Sequence, residues 1–78
     1  MPRLLIVDDH RAMQKLLAHY IKPTRIEATY ATDVDAAIQC LSDEPDMVFV
    51  DIDLPGKDGV EFVRAARDRH FMAPLLAL

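Results

Sequence analysis

Three aspartates carry the chemistry that this sequence could perform. Asp8 and Asp9 stand side by side after the apolar run Leu4 to Val7, in the stretch LLIVDDH. Asp51 follows a second apolar run, in the stretch VFVDIDLPGKDGVEF. Carboxylates brought together repel: two unit charges about 4 Å apart cost on the order of 4 kcal/mol at an effective dielectric near 20. A shared proton, a basic partner or a metal ion must compensate. A hard divalent cation suits an all-oxygen ligand set. Mg²⁺ commonly takes one or two carboxylates, keeps several waters and bridges to phosphate oxygens. Beside such an ion a carboxylate could attack phosphorus and form an acyl phosphate. Pro55 and Gly56 supply a turn after Asp51, and this loop could add a backbone carbonyl to a metal site.

The acids must be positioned by the apolar runs they follow. Leu4 to Val7, Met47 to Val50 and Leu75 to Leu78 read as short strands buried on both faces, as in parallel sheets covered by helices. Ile26 to Ala31 alternates more and reads as a less buried strand, at an edge. Helical patterns lie between them. Met13, Leu16, Leu17, Tyr20 and Ile21 form one apolar face, which stops before Pro23. Val34, Ala37, Ile38 and Leu41 form a second, with Thr32 and Asp35 spaced as a capping box and Pro45 marking the end. Phe62, Val63 and Ala66 form a third, opened by Gly59, with Asp58 and Glu61 placed as its N-terminal cap.

The order is β-α-β-α-β-α-β, which predicts an α/β domain with a parallel sheet and right-handed crossovers. Ligands of such open sheets bind at the carboxyl ends of the strands, where strand order reverses. Asp8, Asp9 and Asp51 converge there if the first and third strands are neighbours.

The chain has 78 residues, enough for one small domain, and no linker or repeat divides it. Thirteen acidic residues against 9 basic ones give a net charge of −4, which disfavours direct binding to a nucleic acid backbone. Cys40 is the single cysteine, so no internal disulfide can form, in keeping with a reducing compartment. No stretch is long enough to span a membrane, and a cytoplasmic location is expected.

LLIVDDH, followed some forty residues later by VFVDIDLPGKDG, resembles the receiver domain of two-component response regulators. The loop pattern of that family is met by Asp51, Pro55, Gly56, Asp58 and Gly59. The resemblance implies a flavodoxin-like doubly wound parallel sheet in the order 2-1-3-4 across residues 1–78. It implies a Mg²⁺-dependent phosphoacceptor rather than an enzyme. Asp51 is then the aspartate phosphorylated by a sensor histidine kinase or phosphotransfer protein. Asp8 and Asp9 form the acidic pair that binds the ion with Asp51, Asp9 being the more direct ligand. Asp53 gives its backbone carbonyl to the metal, and its own carboxylate has no assigned role.

Receivers of this family are longer. The resemblance places a Ser or Thr immediately after Leu78, and a lysine at the end of a later strand; Lys57 cannot stand in for that lysine. The chain therefore reads as a receiver lacking its final strand and helices, with an impaired switch. Its fourth strand would be an exposed edge, open to a homo-oligomer or a swapped dimer. Two competing readings follow from the same residues. VFVDIDL also resembles the first motif of haloacid dehalogenase-type phosphatases, with Asp51 as nucleophile and Asp53 as acid. Alternatively the chain is an assembly fragment that pairs through its sheet edge.

The remaining residues with chemical potential have simpler roles. His10, His19 and His70 form no metal-ligand spacing and are expected on the surface, with His10 beside the acidic pocket. Cys40 is expected to fill space near the second helix's apolar face. Arg64, Arg67 and Arg69 mark a solvated helix face.

Overall fold

The computed structural model describes residues 2–51 and 59–77. Four strands alternate with three helices: β1 (Arg3–Val7), α1 (Arg11–Ile21), β2 (Glu27–Ala31), α2 (Val34–Cys40), β3 (Met47–Val50), α3 (Gly59–Asp68) and β4 (Leu75–Ala77). A short 3₁₀ turn over Leu41–Asp43 extends α2 before Pro45. The sheet is parallel throughout, in the order β2-β1-β3-β4. Both the α/β class and the strand order agree with the sequence-based expectation.

The pleat explains which residues form the core. Successive side chains on a strand point to opposite faces. Leu5 and Val7 on β1, with Val48 and Val50 on β3, therefore share one face. They pack with Val34, Ala37 and Leu41 from the α2 region and with Phe62 and Ala66 from α3. Right-handed crossovers require this arrangement. The step from β1 to β2 runs one way across the sheet; the steps to β3 and β4 run the other, so α1 lies on the opposite face from α2 and α3. Ile6 points to the α1 face and is fully buried.

Two local expectations are corrected, and a third falls outside the described residues. Leu75–Ala77 is not buried on both faces, as its apolar run alone suggested; Leu76 is 47% exposed, in keeping with the exposed edge that the resemblance implied, because among the described residues β4 pairs with β3 alone. Leu78 lies outside the described residues. Cap placement for α2 shifts by one residue, since Asp33 rather than Thr32 is the N-cap and its Oδ1 accepts from the Ala36 N–H at 2.8 Å. The capping aspartate thus sits immediately before Val34, the first buried residue of the helix. The cap expected at Asp58 lies outside the described residues, although α3 does open at Gly59 with Glu61 in its first turn.

The end of α3 has a feature the sequence reading missed. His70 takes a left-handed backbone (φ 63°). Its N–H donates to the Arg67 carbonyl and the Phe71 N–H donates to the Ala66 carbonyl, each at 3.0 Å. These are the paired bonds of a Schellman motif, with His70 in the position usually held by glycine.

Candidate functional site

Strand register brings the acids together. Val7 of β1 stands opposite Val50 of β3, so the residues that follow them, Asp8 and Asp51, leave the sheet side by side. The backbone continues the ladder for one more step: the Asp51 N–H donates to the Val7 carbonyl at 2.8 Å. On the other side the Asp8 N–H donates to the Ala31 carbonyl at 3.0 Å. Both aspartates are therefore fixed at the carboxyl edge of the sheet, between two neighbouring parallel strands, where strand order reverses.

Burial grades the three carboxylates. The side chain of Asp8 is 4% exposed, that of Asp51 17% and that of Asp9 34%. A buried charge needs partners, and Asp8 finds them locally. Its Oδ1 accepts from the His10 N–H at 2.9 Å, closing an Asx turn that leads into α1. Gln14, one turn into α1, donates from Nε2 to the Asp8 carbonyl at 2.6 Å. The first turn of α1 is thus tied to the end of β1.

The Asx turn also folds the His10 ring back over the acids. Its Nδ1 lies 3.0 Å from Asp8 Oδ1, 3.2 Å from Asp9 Oδ1 and 3.4 Å from Asp51 Oδ2. The imidazole pKa is raised above its ordinary value near 6.5. The hydrogen bond to Asp8 is the largest cause, followed by the charges of Asp9 and Asp8; slight desolvation opposes them and the Asp51 charge adds to them. An open cavity of about 280 Å³ adjoins this group, lined by Asp8, His10, Met13, Leu17 and Asp51.

One ligand atom from each of Asp8, Asp9, His10 and Asp51 lies within 4.8 Å of all the others. This tests whether the residues fit a hard cation. Three carboxylate oxygens lie close together, which matches the oxygen preference of Mg²⁺, and the adjoining open cavity leaves room for water and for phosphate oxygens. The donor set fits.

Comparison with known proteins decides the family. The pattern of the response regulator receiver domain matches residues 4–78. The chain belongs to the response regulator receiver domain family. The transcriptional regulatory protein CpxR of Escherichia coli K12 is 30% identical over 78 residues, which are 100% of this chain and 33% of CpxR. This receiver thus spans about a third of the length of that relative. Two solved structures share its fold. The non-phosphorylated HemR receiver domain of Leptospira biflexa superposes with a TM-score of 0.89 at 20% identity, covering 99% of this chain and 63% of that one. The chemotaxis protein CheY4 of Vibrio cholerae superposes with a TM-score of 0.87 at 24% identity, covering 99% and 67% respectively.

The predicted residues can now be placed. Asp8, Asp9 and Asp51 come together as the sequence suggested. Asp53, Pro55, Gly56 and Lys57 lie outside the described residues. His10 was expected merely beside the pocket; the receiver places its Nδ1 against all three carboxylates. Its position directly after Asp9 was the available signal. Cys40 is half-buried against the core. Its thiol pKa is raised, first by burial and then by the charge of Asp43. The dehalogenase-type alternative used only Asp51 and Asp53 and left Asp8 and Asp9 without a role, whereas the receiver-domain match covers residues 4–78. Among the described residues no helix is long and apolar enough to cross a membrane.

Proposed function

We propose that this receiver accepts a phosphoryl group on Asp51 from a histidine kinase or a phosphotransfer protein. The observation that carries the reading is the convergence of Asp8, Asp9 and Asp51 at the ends of two adjacent parallel strands. In the transfer, an Asp51 carboxylate oxygen attacks the phosphorus of a phosphorylated imidazole. An O–P bond forms and the P–N bond breaks; the imidazole nitrogen keeps the electron pair and takes a proton.

Asp8, Asp9 and Asp51 would hold Mg²⁺, with the backbone carbonyl of Asp53 as a further ligand. When bound, the ion neutralises charge on the acids and on the phosphoryl oxygens. The chain's own residues supply position. The Asp51 N–H bond to Val7 fixes the nucleophile relative to β1. The His10 N–H bond holds the Asp8 carboxylate, while Gln14 anchors the Asp8 backbone carbonyl. Asp9, the most exposed of the three acids, is the one best placed to exchange with solvent.

The test is intact mass after incubation with Mg²⁺ and phosphoramidate, a small phosphodonor with the same P–N bond. The expected product is a labile phosphate adduct that is absent without Mg²⁺ and absent in Asp51→Ala. An adduct that survives Asp51→Ala would overturn the assignment. A folded chain that forms no adduct would overturn it as well.

A further inference from the structure

We infer that His10 is a metal ligand of this receiver's acidic site, adding one imidazole nitrogen so that the site prefers a nitrogen-seeking first-row divalent ion such as Ni²⁺ over Mg²⁺. This rests on the cation-site reading of Asp8, Asp9 and Asp51 and goes beyond it, because that site is built of oxygen alone.

The argument is geometric. Cis ligands at about 2.1 Å from one six-coordinate ion stand about 3.0 Å from each other. His10 Nδ1 stands 3.0, 3.2 and 3.4 Å from one oxygen each of Asp8, Asp9 and Asp51. The nitrogen therefore occupies the corner that a fourth ligand would occupy, not the position of the ion itself. All four atoms fall within 4.8 Å of one another, against about 4.2 Å for opposite ligands of such an ion, so small side-chain shifts bring them onto a single ion. The backbone enforces this placement: the His10 N–H is bound to Asp8 Oδ1, and His10 is the N-cap residue of α1. The turn holds the His10 backbone beside the acids, and the ring meets them through its own Nδ1 contact with Asp8.

Ligand chemistry then sets the preference. Carboxylate and water suit Mg²⁺, whereas imidazole suits the later first-row ions, whose affinity rises along the Irving–Williams order toward Ni²⁺ and Cu²⁺. Mg²⁺ gains little from Nδ1 and keeps water at that corner. Ni²⁺ gains a strong nitrogen bond. His19 and His70 belong to no such cluster among the described residues, so His10 is the histidine that joins the acids.

The experiment titrates Ni²⁺ and Mg²⁺ separately into the wild-type chain, His10→Asn and Asp51→Asn at pH 8 by calorimetry. Paramagnetic broadening of the histidine ring protons by Ni²⁺ identifies the ring involved. His10 is exposed, so His10→Asn leaves the core intact, and the amide spectrum checks this directly. The expected result is a loss of about tenfold or more in Ni²⁺ affinity in His10→Asn, with Mg²⁺ affinity within about twofold of wild type. Asp51→Asn should weaken both ions, and Ni²⁺ should broaden the His10 ring protons before those of His19. Ni²⁺ affinity unchanged in His10→Asn overturns the inference but leaves the Mg²⁺ reading standing, provided Mg²⁺ binding still depends on Asp51. Equal losses for both ions in His10→Asn also overturn it, because His10 would then act on the site without selecting the ion. Mg²⁺ binding that is absent, or indifferent to Asp51→Asn, overturns the cation-site reading together with the inference.

Discussion

Replacing Asp51 by asparagine should make the metal-free protein more stable, although it removes a functional carboxylate. The three acids share a site whose ligand atoms lie within 4.8 Å of one another. At that separation and an effective dielectric near 20, each pair of full charges repels by about 3.5 kcal/mol. Asp51 takes part in two such pairs, with Asp8 and with Asp9. Screening and charge spreading cut this sum well below its bare value. Each charge is spread over two oxygens, Asp9 is a third exposed to solvent, and the His10 imidazole offsets part of the repulsion. A net gain of about 1–2 kcal/mol is what remains after this screening. Asparagine keeps the shape of the side chain and most of its hydrogen-bonding capacity, so packing should not obscure the effect.

The assay is urea unfolding of wild type and Asp51→Asn, each with and without Mg²⁺. With a slope near 1 kcal/mol/M for a chain this small, the metal-free midpoint should rise by about 1–2 M. Saturating Mg²⁺ should raise the wild-type midpoint and have far less effect on the variant. The pH dependence has a fixed sign. His10 titrates above its ordinary value in the folded state. Its stabilising contribution is therefore complete below about pH 6.5 and is lost as pH rises through the raised folded value. The repulsion relieved by Asp51→Asn is least compensated once His10 is neutral, so the gain should be larger at pH 8 than at pH 6. A metal-free variant no more stable than wild type at pH 8 would refute the reasoning, as would one that keeps the full Mg²⁺ response.

Three other substitutions or reactions test the structure at separate points. Asp33→Ala should cost about 1 kcal/mol through loss of the α2 cap, while Thr32→Ala should stay within about 0.5 kcal/mol of wild type; the reverse ranking in thermal or urea unfolding would restore the Thr32 box. His70→Gly should stabilise by about 0.5–1 kcal/mol, because glycine avoids a left-handed cost of about 1–2 kcal/mol and loses part of that gain to unfolded-chain entropy. A lower unfolding midpoint for that variant would show that the left-handed position at His70 carries no strain. The thiolate of Cys40 is suppressed by burial and by Asp43, so its alkylation at pH 8 should be slower in the folded chain than in urea; equal rates would mean the thiol is not shielded.

The sheet was legible in the sequence because its signal is redundant. Leu4 to Val7 and Met47 to Val50 are apolar at consecutive positions; the fold buries the whole β1 run and Val48 and Val50 of β3, leaving Met47 and Phe49 half-buried. The same rule failed for Leu75–Ala77, which is equally apolar but lies at an edge. Composition reports the preference of a strand for burial; its place in the sheet decides how much burial it receives. The cap of α2 failed for a different reason. Thr32 and Asp35 satisfy the spacing of a capping box, but Asp33 directly precedes the first buried residue, and the core contact of Val34 sets where the helix begins.

The site was legible in part for a related reason. Asp8 and Asp51 were found because each ends an apolar run, and ends of adjacent parallel strands meet whatever the distance along the chain. His10 was placed beside the pocket but not among the acids, because metal-ligand rules count spacings along one helix or loop, such as two histidines one turn apart. Here the spacing that matters is set across the sheet, by the pairing of Val7 with Val50. Residue 10 is drawn toward Asp8 twice, by its backbone N–H and by its ring Nδ1. The backbone bond is the Asx turn an aspartate makes with the backbone two residues on, and here the residue two places on is a histidine. A search for an aspartate two residues before a histidine, both following a buried strand, would have marked His10 as facing the pocket before any coordinates were known.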